Sequence, residues 1–134
     1  MNTWMRAVLC VVLLRSISRF EALIFDGGEH SQAASQNCIG AERFLVHSSL
    51  YDSFVSEATT RIKDLKLGDV LSPNANDKQI DVGAMVTDRL FDTLEGLIED
   101  AVKNGARCLV GGKRASRDLV GDGHYFQPTL LVDV

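Results

Sequence analysis

Between Glu42 and Val132, short apolar runs of strand length alternate with two longer stretches whose apolar residues recur at helical spacing, and this alternation limits the fold more than any other feature. Glu42 to His47 (ERFLVH) has strand length. Ser49 follows as a predicted N-cap, with Asp52 three residues on in a near capping box, so a helix is expected to start there. Tyr51, Phe54, Val55, Ala58, Ile62 and Leu65 form one apolar stripe, with Glu57, Arg61, Lys63 and Asp64 away from it, and Gly68 is the predicted stop. Asp69 to Gly83 reads as a long polar connection. A second helix is expected from Thr87 as N-cap, with Leu90, Phe91, Leu94, Leu97, Ile98, Ala101 and Val102 on its inner face and Gly105 just past its end. Arg107 to Val110, closed by Gly111 and Gly112, reads as a strand. Tyr125 to Val132 reads as a last strand, which Pro128 assigns to a sheet edge or a bulge. Strand, helix, helix and strand in this order point to an α/β fold.

The first twenty residues behave differently. Arg6 precedes the apolar run Ala7 to Leu14 (AVLCVVLL), which is too short to cross a bilayer, since that takes about 18 apolar residues in a row. A signal peptide would account for the basic start and the apolar run, but Arg15 and Arg19 follow it and no small-x-small cleavage site stands out. A buried strand accounts for Val8, Val11 and Val12. Composition does not separate the two readings. It does bound the rest: 134 residues suit one domain, and 46% apolar residues with two prolines exclude a disordered or collagen-like chain. A net charge of −4 without a basic stripe argues against nucleic acid as a partner.

The residue singled out for chemistry is Cys38, in the polar, small-residue segment Ser35-Gln36-Asn37-Cys38-Ile39-Gly40 just before a predicted strand. A thiolate presented there would be a competent nucleophile, although residue type alone favours a small buried hydrophobe. Cys10 and Cys108 lie in apolar or strand-like surroundings and read as core. The three cysteines are too far apart for a disulfide framework or CxxC zinc spacing, so a reducing, cytoplasmic compartment is expected, with an N-terminal signal or anchor as the other reading. His30, His47 and His124 show no spacing that commits one of them to a Cys–His pair and read as surface or strand-end histidines. Gly27-Gly28, Gly111-Gly112 and Gly121-x-Gly123 match neither GxGxxG nor a P-loop, and no carboxylate or histidine cluster has metal-ligand spacing. Neither a cofactor-binding residue nor a metal ligand is assigned.

Taken together, the segments resemble the aldehyde dehydrogenase superfamily. Gln36-Asn37-Cys38-Ile39-Gly40-Ala41-Glu42-Arg43 is similar to its catalytic cysteine segment, in which Gln-x-Cys is followed five residues later by Arg. The likeness continues in order through Tyr51-Asp52-x-Phe54-Val55, Gly83-Ala84-Met85, Gly105 to Gly112 and Gly123 to Leu130, and covers about Gln32 to Val134. What the resemblance implies is oxidation of an aldehyde with NAD or NADP as acceptor. Cys38 would be the nucleophile that forms a thiohemiacetal, its own backbone N–H an oxyanion donor, and a glutamate elsewhere the base that activates water against the thioester. Gln36 and Arg43 would shape and anchor the loop.

The sequence also departs from that family. Ser31 stands where an aromatic residue is usual, and Ser35 replaces the glycine before Gln36. The family's Glu-Leu-Gly-Gly-Lys segment would fall near Trp4 and is not found there, and neither Glu21 nor Glu29 replaces its glutamate by position. The cofactor-binding domain, the oxyanion-hole asparagine and the Glu-x-Phe-Gly-Pro segment have no counterpart either. The expectation is therefore an unassigned segment over residues 1–31 followed by a partial aldehyde dehydrogenase catalytic domain over 32–134, with strands and two amphipathic helices and the cofactor-binding domain absent. Its partners would be a small-molecule aldehyde and, through unpaired sheet edges, a second copy of the chain. Two alternatives stand beside the oxidoreductase: a catalytically silent family member serving at most as an interaction module, and a thiol-reactive protein that uses Cys38 without a cofactor.

Overall fold

A computed structural model describes residues 5–11, 43–69, 71 and 80–134. Its elements are β1 (Met5–Val11), β2 (Arg43–His47), α1 (Ser48–Asp64), α2 (Phe91–Lys103), β3 (Arg107–Val110), the single-turn α3 (Arg117–Val120) and β4 (Thr129–Val132). The four strands form one sheet in the order β2-β1-β4-β3, and every ladder in it is antiparallel. Met5 to Leu9 pair with His47 to Arg43, and Val8 to Val11 pair with Val132 to Thr129. The N-terminal apolar run is thus a strand as far as Val11, and residues 12–42 lie outside the described residues. The only parallel pairing among the described residues is an isolated bridge between Leu67 and Val82.

Successive strand residues point to opposite faces, so the apolar run Thr129-Leu130-Leu131-Val132 supplies both sides of the sheet. Leu130 and Val132 pack with Val46 against Tyr51, Phe54, Ala58 and Ile62 of α1. Leu131 joins Phe91, Ile98, Val82 and Phe126 in a second cluster beneath α2. Burying each of these side chains is worth roughly 1.5–3 kcal/mol. β4 is therefore the hub of the molecule, and every one of its residues is buried. This corrects the expected edge placement of the last strand: Pro128 stands just before β4 and takes none of its ladder positions, which leaves β4 free to pair with β1 and β3. The irregularity lies on β3, where the register shifts between Cys108 and Val110.

The helix ends differ from expectation too. α1 begins two residues earlier than an N-cap at Ser49 implies and is capped by His47, whose Nδ1 accepts the Ser49 N–H at 3.3 Å, so the last residue of β2 does the capping that Ser49 was expected to do. α1 stops at Asp64, where Leu65 turns extended to reach the core; Gly68 is not its stop but runs beside Val82, with its N–H on the Val82 carbonyl at 3.1 Å. α2 begins at Phe91, while Thr87 accepts the Arg89 N–H in the turn before it. Of its expected inner face only Phe91 and Ile98 are buried and Leu94 and Ala101 partly so; Leu90, Leu97 and Val102 face outward. Gly105 does end α2, with φ 108 and the N–H groups of Gly105 and Ala106 on the carbonyls of Val102 and Ala101, a Schellman arrangement.

Candidate functional site

Cys38, with Gln36, Ser35 and His30, lies outside the described residues, as does most of the connection expected over 69–83. What is described is the end of the sheet from which that segment enters. Arg43, five residues after Cys38, opens β2. Antiparallel pairing brings to the same end the C-terminus of β1, the start of β4 and the close of β3 at Val110, followed by Gly111 and Gly112. Here the glycine pair is a packing device. Gly111 has φ 69 and a Cβ there would stand 2.2 Å from the Pro128 carbonyl oxygen; Gly112 has φ 90 and its N–H donates to Thr129 Oγ1 at 2.9 Å. Thr129, fully buried, donates in turn to the Gln127 carbonyl at 2.8 Å. Because the Gly112 N–H is taken and the space over Gly111 is filled by protein, this glycine pair has no open cradle for a pyrophosphate.

Cys108 lies near this junction, half-buried, with Sγ 3.3 Å from the Val110 carbonyl. Burial pushes its thiol up, against a smaller opposing effect of that hydrogen bond, so it stays protonated at neutral pH and is a poor nucleophile. Of the described histidines, His47 ends β2, whereas the Cys38 segment precedes its start, and its ring is engaged with Ser49 at 2.8 Å. His124 is half-exposed, 3.7 Å from Asp88. Among the described residues no group of three His, Cys, Asp or Glu side chains could hold a metal ion.

A polar cluster at the opposite end of the sheet was not foreseen. Asp133, just past β4, adopts φ 60. Its carboxylate receives the Tyr51 hydroxyl at 2.8 Å, Arg107 Nε at 2.9 Å and Arg6, while its backbone N–H donates to the Tyr51 oxygen at 3.1 Å. The Arg6 guanidinium also lies 3.7 Å from the centre of the Tyr51 ring. Burial would push the Asp133 carboxyl up, but the hydrogen bonds from Arg107, Tyr51 and Arg6 outweigh it and hold the group below its usual value. Burial and the Asp133 carboxylate raise Tyr51, which keeps its hydroxyl a donor. No sequence pattern points to this cluster: Arg6 and Asp133 are 127 residues apart, and Tyr51 reads as a member of an apolar stripe and of the family likeness, not as a polar partner. A second ionic group, Arg114 on Asp92 and Glu95 with its guanidinium over Phe91, fixes the segment after Gly112 against α2; hydrogen bonds from Arg114 lower Glu95.

The sequence model described as the aldehyde dehydrogenase family matches residues 28–134. An aldehyde dehydrogenase-like protein of Saccharomyces cerevisiae is 46% identical over 105 residues, which is 77% of this chain and 16% of that protein. A succinate-semialdehyde dehydrogenase [NADP(+)] of Mycobacterium avium is 37% identical over 103 residues, 77% of this chain and 20% of that one. Among solved structures, a betaine aldehyde dehydrogenase of Staphylococcus aureus, in complex with NAD+ and with a BME-modified cysteine, aligns with a TM-score of 0.52 at 30% identity, covering 61% of this chain and 16% of its own. The chain thus spans about a fifth or less of the length of these relatives, so its elements correspond to one portion of a much larger molecule.

Proposed function

The chain belongs to the aldehyde dehydrogenase family, and from that premise we propose that it is the nucleophile-bearing part of an aldehyde oxidoreductase that uses NAD or NADP, with Cys38 as the group that attacks the substrate. The observation that carries this reading is the family match over 28–134, which includes Cys38 and the ordered motifs after it. The Cys38 thiolate forms a C–S bond to the aldehyde carbon while the carbonyl π pair moves to oxygen, and that oxygen takes up a proton to give the thiohemiacetal. The Cys38 N–H is the chain's own donor to the developing oxyanion. Oxidation of the adduct needs a hydride acceptor, which NAD or NADP would supply when bound. A small-molecule aldehyde is the substrate class, and a reducing, cytoplasmic compartment keeps the thiol available.

Alkylation tests this. Iodoacetamide labelling of Cys38, followed by peptide mass spectrometry, is expected to slow in the presence of a simple aldehyde. NAD(P)H formation that persists after Cys38→Ala would overturn the assignment. A second reading is a catalytically silent family member that serves at most as an interaction module. Titration with NAD+ and NADP+ separates the two, since saturable binding counts against the silent chain. Self-association belongs to either reading: β2 and β3 are sheet edges, and Leu45 on β2 is 57% exposed.

A further inference from the structure

We infer that two copies of the chain meet through β2, edge to edge and antiparallel, with Leu45 opposite Leu45 of the second copy on a two-fold axis. That pairing presupposes the self-association proposed under either functional reading, and gives it an edge, a register and a symmetry. Of the two sheet edges, β2 is the regular one. Its five residues pair with β1 from His47 to Arg43 without a shift, and its outer side has no partner strand among the described residues. The β3 edge is blunted instead: its register breaks between Cys108 and Val110, and Arg107, which opens it, is tied to Asp133.

A second copy is the occupant because β2 is complementary to itself. In Arg43-Phe44-Leu45-Val46-His47, antiparallel pairing about Leu45 sets Phe44 opposite Val46 and Arg43 opposite His47, each twice, and no other two-fold centre pairs all five residues. Val46 is buried against α1 and Phe44 packs beside it, so this register carries the α1-side cluster across the seam in both copies. Leu45, on the other face and 57% exposed, then covers its own counterpart. A slip of one residue would set Phe44 opposite Leu45 and turn the two α1 layers to opposite faces, which a strand with one covered face resists. A ladder of five residues is small against the roughly 800 Å² per partner of a stable dimer, so the pairing is reversible and depends on concentration.

Cross-linking and sedimentation of the full chain test this. Directly opposite strand residues stand about 4.5–5.5 Å apart, within reach of a disulfide, so mild oxidation of Leu45→Cys is expected to give a covalent dimer whose bridge, placed by peptide mass spectrometry, joins position 45 to itself. Ala7, opposite Leu45 on β1, lies on the same face one strand inward, which separates its two copies by about 14 Å in such a pair. Ala7→Cys should therefore not bridge, and bridging there as readily as at position 45 would mean face-to-face stacking and overturn the inference. His47→Asp and His47→Asn both keep a good helix N-cap and differ in charge. The aspartate faces Arg43 of the second copy at two symmetric places and should tighten the dimer about fivefold relative to the asparagine, a gap that closes when Arg43→Gln is added. Equal dimerisation of the two variants overturns the register. Association without a bridge at position 45 overturns the edge pairing alone, whereas a parent chain that stays monodisperse overturns self-association with it.

Discussion

At single residues the two best-defined glycines pull in opposite directions. Gly111→Ala places a Cβ 2.2 Å from the Pro128 carbonyl oxygen on a φ of 69, and should cost about 2–3 kcal/mol in urea unfolding. Gly96, inside α2 with open space where its Cβ would stand, should gain about 0.5–1 kcal/mol on substitution by alanine in the same assay. The glycine pair was legible in the sequence as a turn. Its contact with Pro128 was not, because that contact depends on where β4 lies. Asp133 carries a pH dependence. Its carboxyl is held below the usual value in the folded chain, so its stabilising effect is fully present above the unfolded value near 3.8 and is lost as pH falls through the lower folded value. Asp133→Asn should flatten the acid limb of a stability-against-pH curve, and an unchanged limb would show that other groups govern it. Cys108 should label with iodoacetamide more slowly than a solvent-exposed model thiol at the same mildly alkaline pH, since burial raises its pKa.

Among the elements, the helices were legible through their stripes and the strands through their length, whereas strand order was not. Tyr51, Phe54, Ala58 and Ile62 declared α1's buried face by spacing alone. The seven apolar residues assigned to α2's inner face exceed what one helix on half a sheet can bury, so Leu90, Leu97 and Val102 stay outside. Thermal unfolding should separate these classes: Ile62→Ala is expected to cost about 2–5 kcal/mol, and Leu97→Ala, at a site 62% exposed, within about 0.5 kcal/mol of nothing. Pro128 suggested an edge because proline lacks an N–H for the ladder, but a proline one residue before a strand does not interrupt it. The proposed role of Cys38 rests on an ordered run of residue types, not on periodicity, since no helical or strand pattern surrounds it in the sequence, and it lies outside the described residues.

For the whole molecule, the family likeness and the sheet lead to one expectation. Among the described residues α2 covers the β3–β4 half of its face, with Leu45 and Ala7 toward the β2 edge, and this is where copies of the chain should meet. Light scattering should show association rising with concentration and reduced by Leu45→Lys; a parent chain that stays monodisperse throughout would contradict it. The central position of β4 has a kinetic consequence as well. The sheet's interior is made of the first and last described strands, with Val8 beside Val132, so no local hairpin can start it. Loop-closure entropy must be met before that pairing returns anything, which predicts slow refolding for so short a chain. During synthesis β1 and β2 can pair with each other, but the second edge of β1 stays open until β4 emerges, and in that interval it is exposed to capture by chaperones or by another copy.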